Sequence, residues 1–167
     1  HQIDTMTTGA SAFSNFANMP AQQNELLNIV QISKMALEIF DEEFIDFNTT
    51  EKEIISLFDR AQLTRVVTNL VKNAIQAIPE NQEKKSVIVD LSKTENHFVL
   101  KISDNGIGIS AENTAHIFEP KFTTKNSGMG LGLAIIKNII ENYNGTITFV
   151  TEEGKGTTFT ATLPIKT

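Results

Sequence analysis

Asp104 ends a run of alternating apolar and polar residues and is the first candidate for chemistry in the sequence. The strand predicted over residues 97–103 directs Phe98, Leu100 and Ile102 to one face, and Asp104 is next on that face. A carboxylate in an otherwise apolar pocket can accept a hydrogen bond from an exocyclic amine such as adenine N6. The glycines of the following Gly-Ile-Gly segment would let the backbone approach a flat base closely. Ordinary turn chemistry of Asp-Asn-Gly is the open alternative.

Two asparagines on a predicted helix are the second candidate. Asn69 and Asn73 are four residues apart, bordered by Lys72, so they should share one helical face, opposite the apolar stripe. Asparagine is a mediocre helix former, so two asparagines within a helix indicate a role other than helix formation. A carboxamide oxygen is a hard, neutral ligand suited to Mg²⁺. A solvated polar face is the alternative interpretation.

Alternating glycines precede a predicted buried helix that begins at about Leu131. Gly128, Gly130 and Gly132 would leave the unpaired N–H groups of its first turn accessible, and a helix N-terminus attracts phosphate. The spacing fits neither a Rossmann fingerprint nor a P-loop, and it does not directly follow a strand, as both of those motifs require. A flexible hinge is the alternative.

Thr158 is the last candidate. It lies on the predicted C-terminal strand and points away from the face of Phe159, and its hydroxyl is predicted to support Asp104 through a water. The alternative is a threonine that only favours the strand.

The elements that must position these residues follow from hydrophobic periodicity. Helices are predicted over residues 28–40, 59–78 and 131–143, with Asp59 as an N-cap. Strands are predicted over 86–92 and 97–103 and in a hairpin around residues 154–156, two short β-like segments lie between 43 and 58, and residues 110–130 are expected to form a loop. This order predicts an α+β fold, a two-layer sandwich in which helices cover one face of a mixed sheet.

Composition excludes several classes of function. The chain has 167 residues, a net charge of −6 and no cysteine, which excludes disulfides and thiolate metal sites. It has no basic stripe, so nucleic acid is not expected as a partner. It carries neither a signal peptide nor an apolar run long enough to span a bilayer. The chain does not begin with methionine, and we expect it to be a piece of something larger.

The first 20 residues form a separate predicted unit. Apolar residues spaced three and four apart give a coiled-coil-like seam that ends at Pro20. Residues 1–20 are therefore either a surface helix of the same domain or half of a helical hairpin, and 21–167 form the main domain. The seam consists of Ile3, Met6, Ala10, Phe13 and Ala17.

The candidate motifs occur in an order that resembles one family. An Asn-x-x-x-Asn-Ala helix, Asp-x-Gly-x-Gly-Ile, Phe-x-x-x-Phe, Gly-x-Gly-x-Gly and Gly-x-Gly-Thr-x-Phe follow one another. This set resembles the catalytic ATP-binding domain of sensor histidine kinases, which shares the Bergerat fold with the Hsp90, gyrase and MutL ATPases. The resemblance covers roughly residues 24–164, and the stretches "FSNFANMP" and "FEPKFTTK" are most similar to the nitrogen-regulation branch. It implies that residues 1–20 are the end of a dimerisation and phosphotransfer helix.

The resemblance implies roles for individual residues. Asp104 would receive adenine N6, Asn73 would bind Mg²⁺, and Asn69 would lie beside the phosphates or the metal. Phe118 and Phe122 would anchor a lid in which Lys125 contacts phosphate. The full set of implied ATP contacts is Asn69, Lys72, Asn73, Ala77, Asp104, Gly106, Gly108, Ile109, Phe122, Thr124, Lys125, Gly128, Met129, Gly130, Leu131, Gly132 and Thr158.

The implied function is transfer of the ATP γ-phosphate to a histidine, for relay to an aspartate of a response-regulator receiver domain. The family's acceptor segment, a histidine followed by an acid and a nearby proline, is absent, and His1 is a tag residue or an ordinary helix position. The catalytic histidine would therefore lie outside this chain. A cytoplasmic domain of a homodimeric parent is implied, with membrane anchoring of the parent left open.

Two other functions remain open at this point. Gyrase-like ATPases activate water with a glutamate four residues before the metal-binding asparagine, where this chain has Asn69, which cannot act as a general base. A module that holds nucleotide without chemistry is the other alternative.

Overall fold

A computed structural model describes residues 22–120 and 129–167, without the side chains of 129–131. The predicted helix of residues 1–20 lies outside these ranges. No helix in the described ranges is long and apolar enough to cross a membrane. The elements are β1 (Asn24–Asn28), α1 (Ile29–Leu37), β2 (Ile45–Thr49), β3 (Ile55–Asp59), α2 (Arg60–Gln76), β4 (Val87–Lys93), β5 (His97–Asp104), α3 (Ala111–Thr114), α4 (Met129–Asn142), β6 (Thr146–Glu152) and β7 (Gly156–Pro164).

A five-stranded mixed sheet forms one layer of the fold. Its strand order is β2-β4-β5-β7-β6, with β2 parallel to β4 and the other pairs antiparallel. Helices α1, α2 and α4 pack together, and α2 and α4 lie on the sheet. Every inward residue of β5, from Phe98 to Ile102, is buried, as is every second residue of β7. The predicted α+β sandwich is confirmed.

A two-stranded ribbon stands beside this sheet and was missed in the sequence. β1 pairs antiparallel with β3, with Leu26 opposite Leu57. A five-residue segment with one buried position gives no periodic signal, so no strand was predicted at residues 24–28.

Helix α2 begins and packs as its sequence predicts. The Asp59 side chain caps it, accepting a hydrogen bond from the Gln62 amide at 3.0 Å. The same carboxylate accepts from the Gln23 amide at 2.8 Å, which ties the entry to β1 to the start of α2. The apolar stripe of α2 is buried throughout from Leu63 to Ala74.

Two predicted boundaries are wrong. Helix α1 ends at Leu37, so Ile39, expected on its apolar face, is 64% exposed. Residues 110–130 are not simply a loop: α3 occupies 111–114, and Ile117 is buried. The Phe118 ring packs edge-on at 5.9 Å from Phe149, so two apolar anchors order a segment whose pattern is too short to be periodic.

The C-terminal elements agree with prediction. α4 is followed by Asn144 in the left-handed region, and the Gly145 amide donates to the Ile140 carbonyl at 2.9 Å, which closes the helix. α4 begins at Met129, two residues before the predicted start. β6 and β7 form the predicted hairpin around residues 153–155.

Candidate nucleotide-binding site

A cavity of about 250 Å³ opens between the C-terminal part of α2, the loop after β5 and the start of β7. Its walls are mainly apolar, with a few polar side chains, which is the usual composition of a small-molecule site. Asp104 and Asn73, predicted from separate motifs, both line it. The lining residues are Asn73, Ala77, Asp104, Ile107, Gly108, Ile109, Ser110, Asn113, Ile117, Leu133, Glu153, Thr157 and Phe159.

Asp104 is a carboxylate in a poorly solvated place. Its Oδ1 accepts a hydrogen bond from the Gly106 amide at 2.8 Å. Burial raises the pKa of Asp104 above its ordinary value, and backbone hydrogen bonds from Gly106 and Thr157 oppose that rise. The group can therefore accept a hydrogen bond from a ligand with little competition from water.

The loop after β5 is held against protein backbone. A Cβ on Gly106 would lie 2.3 Å from the Ala77 carbonyl oxygen, which accepts a hydrogen bond from the Ile107 amide at 2.9 Å. Gly108 lines the cavity beside the Glu152 carbonyl, and the Gly154 amide donates to the Ile107 carbonyl at 2.7 Å. At Gly106 the close approach is thus to the end of α2.

Asn105 anchors the same loop to the segment before β4, a role that was not predicted from the sequence. Its Oδ1 accepts from the Ser86 amide at 2.9 Å, and its Nδ2 donates to the Lys84 carbonyl at 2.9 Å. Gln82 donates to the Asn105 carbonyl at 2.9 Å. These bonds fix the loop to the segment that precedes β4.

The prediction for Thr158 is wrong. Thr158 stands opposite Ser103 on the outer face of the sheet, and their hydroxyls are 2.9 Å apart. Thr157 stands opposite Asp104, is buried and lines the cavity. The alternation that places Phe159 inward also places Thr157 inward, so the sequence contained the signal.

The two asparagines of α2 differ in their surroundings. Asn73 is 8% exposed and lines the cavity, whereas Asn69 is half-buried and does not line it. The Nδ2 of Asn73 is buried without a hydrogen-bond partner among residues 22–120 and 132–167. The prediction that both lie opposite the apolar stripe is thus wrong for Asn73, while Lys72 is exposed as expected.

The remaining predicted residues lie in the cavity wall, in α4 or outside the described residues. Ile109 lines the cavity and donates its amide to Thr151 Oγ1 at 2.9 Å. Gly132 lies in α4, where an added Cβ would meet no atom within 4 Å. Met129, Gly130 and Leu131 form the start of α4. Phe122, Thr124, Lys125 and Gly128 lie outside the described residues.

Seven cavity residues besides Thr157 were also missed: the buried apolar residues Ile117, Leu133 and Phe159, and the four residues Ile107, Ser110, Asn113 and Glu153. Ser110 occupies the N-cap of α3 but does not cap it, and its Oγ is buried without a partner in the described ranges. No periodic or motif signal marks Ile107, Ser110, Asn113 or Glu153, because the path of the connecting segments brings them to the cavity. In the described part of the chain, no three or more acidic, histidine or cysteine side chains are grouped so that they could hold a metal ion.

The fold and the cavity together define a class of protein. The structure matches the nucleotide-free catalytic domain of histidine kinase ThkA with a TM-score of 0.77 and 28% identity, covering 87% of this chain and 97% of that one. The profile of the histidine kinase-, DNA gyrase B- and HSP90-like ATPases matches residues 58–167. The chain therefore belongs to that family, and membership implies that it uses a nucleotide.

Sensor kinases are among its sequence relatives. Sensor histidine kinase ZraS of Escherichia coli (strain K12) is 36% identical over 163 residues, covering 85% of this chain and 34% of the relative. Sporulation kinase B of Bacillus subtilis (strain 168) is 35% identical over 115 residues, covering 69% of this chain and 26% of the relative. The predicted resemblance to sensor histidine kinase ATP-binding domains is confirmed. The chain spans only about a third of the length of ZraS and about a quarter of the length of sporulation kinase B.

Proposed function

We propose that this chain is the ATP-binding part of a two-component sensor histidine kinase that donates the γ-phosphate of ATP to a histidine. The observation that carries the proposal is the buried Asp104 carboxylate in a largely apolar cavity, beside the Asn73 Nδ2, which has no hydrogen-bond partner in the described ranges. A largely apolar slot with a buried carboxylate acceptor suits a flat base that carries an amine. The polar amide of Asn73, near the C-terminal end of α2, suits the phosphate end of the same ligand.

Adenine would bind with its exocyclic amine toward Asp104. Ile107 and Ile109 would cover the faces of the base, since both line the cavity, and Ala77 leaves room beside them. Thr157, buried beside Asp104, can hold a water or a ring nitrogen at the same edge. Thr157 takes the place that the sequence analysis assigned to Thr158.

The phosphates would extend from the cavity along α2 toward α4. Asn73 fits a Mg²⁺ ligand because its side chain lines the cavity and its carboxamide oxygen is a hard, neutral donor, and Asn69, one turn earlier on α2, is a possible second ligand. Magnesium would neutralise phosphate charge when bound. The first turn of α4 and Gly128 would donate N–H groups to the phosphates, and Lys72 would contact them. Phe122, Thr124 and Lys125 would complete the site as a lid.

The acceptor histidine would belong to a phosphotransfer domain outside this chain, of which residues 1–20 would be the last part. From that histidine the phosphoryl group would pass to an aspartate of a response-regulator receiver domain. The parent would be a homodimer with this domain in the cytoplasm, and its membrane anchoring is left open. An ATPase reaction is disfavoured because Asn69 stands where such enzymes carry a glutamate base.

Radiolabelled ATP tests the proposal. The chain alone should bind ATP but neither label itself nor release phosphate appreciably, since phosphoryl transfer requires a nucleophile held in line with the γ-phosphate. The separate phosphotransfer domain should gain an acid-labile label when it is added. Transfer should be slow, because no covalent link raises the effective concentration of the two domains.

Three outcomes would redirect this proposal. An acid-labile label on the chain itself would place the acceptor within it. Rapid phosphate release by the chain alone, abolished by Asn73→Asp, would favour an ATPase. ATP binding that supports neither reaction, even with the phosphotransfer domain present, would leave a module that only holds nucleotide.

A further inference from the structure

Strand β2 forms a free edge of the five-stranded sheet. It pairs only with β4 among the described residues, in parallel, with Ile45 opposite Val87 and Phe47 opposite Val89. The Val87 amide donates to the Phe44 carbonyl at 3.0 Å. In a parallel pair the bonded residues alternate along the strand, so the N–H and C=O groups of Ile45 and Phe47 point away from β4.

A groove runs along this edge, between β2 and the C-terminal end of α1. It has a volume of about 260 Å³, and its floor is formed by half-buried apolar side chains. Ile39, beside the groove, is largely exposed. The edge therefore offers both backbone hydrogen bonds and an apolar channel for alternate side chains. The floor consists of Leu37, Phe40, Ile45 and Phe47.

The rim of the groove is acidic. Glu38 and Glu42 line it together with Lys34. The surrounding stretch, residues 38–53, carries seven acidic side chains and one lysine. No ion pair within the described ranges involves an acidic residue of this stretch. The negative potential at this edge is thus left for a partner to neutralise.

We propose that an extended, cationic segment of a partner protein adds a strand to β2. Its backbone would bond to Ile45 and Phe47, while its alternate apolar side chains enter the groove and its lysines or arginines meet Glu38 and Glu42. Main-chain bonds supply affinity in this mode of recognition, and the pockets and charges supply specificity. The surface lies on the α1–β2 side and shares no lining residue with the nucleotide cavity.

The acidic charge of the groove favours a cationic partner segment over two other occupants, a second copy of the chain and residues 1–21. Pairing of β2 with β2 of a second copy would bring two acidic stretches together, which is repulsive. The N-terminal residues 1–21 contain no lysine or arginine, so they do not match the acidic rim. A cationic segment of another protein satisfies both the edge and the charge.

A fluorescent peptide with a central segment of alternating valine and threonine and two arginines at each end tests the proposal. We expect saturable binding by anisotropy, with amide shifts in the NMR spectrum of the ¹⁵N-labelled chain concentrated at residues 45–49. A second peptide with N-methyl groups on alternate residues keeps the charge but cannot donate to the edge. Equal binding of both peptides would reduce the effect to general charge attraction and overturn the proposal, as would the absence of binding.

Charge reversal provides the matched variants. Glu38→Lys with Glu42→Lys should weaken binding of the unmodified peptide about tenfold or more at low salt. Glu51→Lys with Glu53→Lys changes the net charge equally outside the groove and should have a much smaller effect. Thermal melting monitors the folding of both variants. Equal losses in the two would contradict the proposal, and so would a peptide-independent dimer that protects residues 45–49 from hydrogen exchange.

Discussion

At the scale of single residues, Asp104 shows function and stability opposed at one carboxylate. It occupies an inward position of β5 where the three preceding inward residues are buried and apolar. Burial raises its pKa, so the charged form that would bind an amine is the form that the fold disfavours. Such a group is expected at a binding site, where stability is commonly given up for function.

Asp104→Asn should separate these two effects. The amide oxygen can still accept from Gly106, but an NH₂ group turned to the adenine amine places donor against donor. An unmet buried hydrogen bond costs about 1–3 kcal/mol, so ATP and ADP should bind about ten- to a hundredfold more weakly by calorimetry. Unchanged affinity would refute the adenine assignment.

The pH dependence of stability gives a second test of Asp104. Burial raises the folded-state pKa of Asp104 above its ordinary value, so the folded chain holds this proton at pH values where the unfolded chain has lost it. The contribution of Asp104 to the unfolding free energy therefore falls as the pH rises from its unfolded-state pKa to its folded-state pKa. Urea unfolding should show Asp104→Asn gaining on the wild type from acid toward neutral pH; a constant difference would contradict the burial argument.

Gly156 allows the start of β7 to approach the end of β5 closely. Its φ is +136°, and a Cβ there would lie 2.0 Å from the Asp104 carbonyl oxygen. Gly154, with φ +83° and open space around it, is the matched control. Gly154→Ala should cost about 1–2 kcal/mol of unfolding free energy from backbone strain alone. Gly156→Ala should cost clearly more and also weaken ATP binding, and equal losses would show that the contact is unimportant.

At the scale of elements, α1 and α2 each begin at a capping side chain and each bury a polar side-chain atom that has no partner in the described part of the chain. Asp59 caps α2 and its apolar stripe is buried, so the helix that presents Asn73 is firmly held. In α1, Ser33 is fully buried and its Oγ has no hydrogen-bond partner in the described part of the chain. Burying that hydroxyl without a partner lowers the stability of the fold, because its lost hydrogen bonds to water are not replaced.

Ser33→Ala should therefore leave the unfolding free energy unchanged or raise it by about 1 kcal/mol, since alanine removes an unmet group and favours the helix. Ser56→Ala is the control, because Ser56 is equally buried but accepts from the Lys166 amide at 3.0 Å. That variant should lose about 1 kcal/mol or more. Denaturant titration measures both, and a clear loss in Ser33→Ala would show an unrecognised partner.

At the scale of the whole molecule, Tyr143 joins the ribbon to both long helices. Its ring stacks on Phe58 at 3.8 Å, its hydroxyl accepts from the Asp59 amide at 2.9 Å, and it donates to Asn24. Asp59 caps α2, Tyr143 directly follows α4, and Asn24 begins β1. The segment that leads out of residues 1–21 is thus linked to the two helices that border the cavity.

Tyr143→Phe should keep the stacking and remove both hydrogen bonds, costing about 1–3 kcal/mol because the buried Asp59 amide loses its partner. A double-mutant cycle with Asn24→Ala should give an interaction energy clearly above zero, since the two side chains share one bond. Hydrogen exchange should quicken in β1 of the variant. Additive effects would show that the ribbon is not coupled to α4 through this hydroxyl.

The sequence alone determined the elements with strong periodicity and the order of the motifs. The stripe of α2, the alternation of β5 and β7 and the cap at Asp59 are local properties, because each depends on neighbours within a few residues. The sequence thus identified the sandwich, and it identified Asp104 and Asn73 as candidates before any contact was known.

Tertiary structure decided which candidates meet. Asn73 is buried and Asn69 is not, although both fit one pattern, because the sheet and loop cover the side of α2 on which Asn73 lies. Thr157 rather than Thr158 joins Asp104, since strand register fixes which face points inward. The ribbon and the cavity residues Ser110 and Glu153 depend on contacts between segments distant in the chain, which no local pattern encodes.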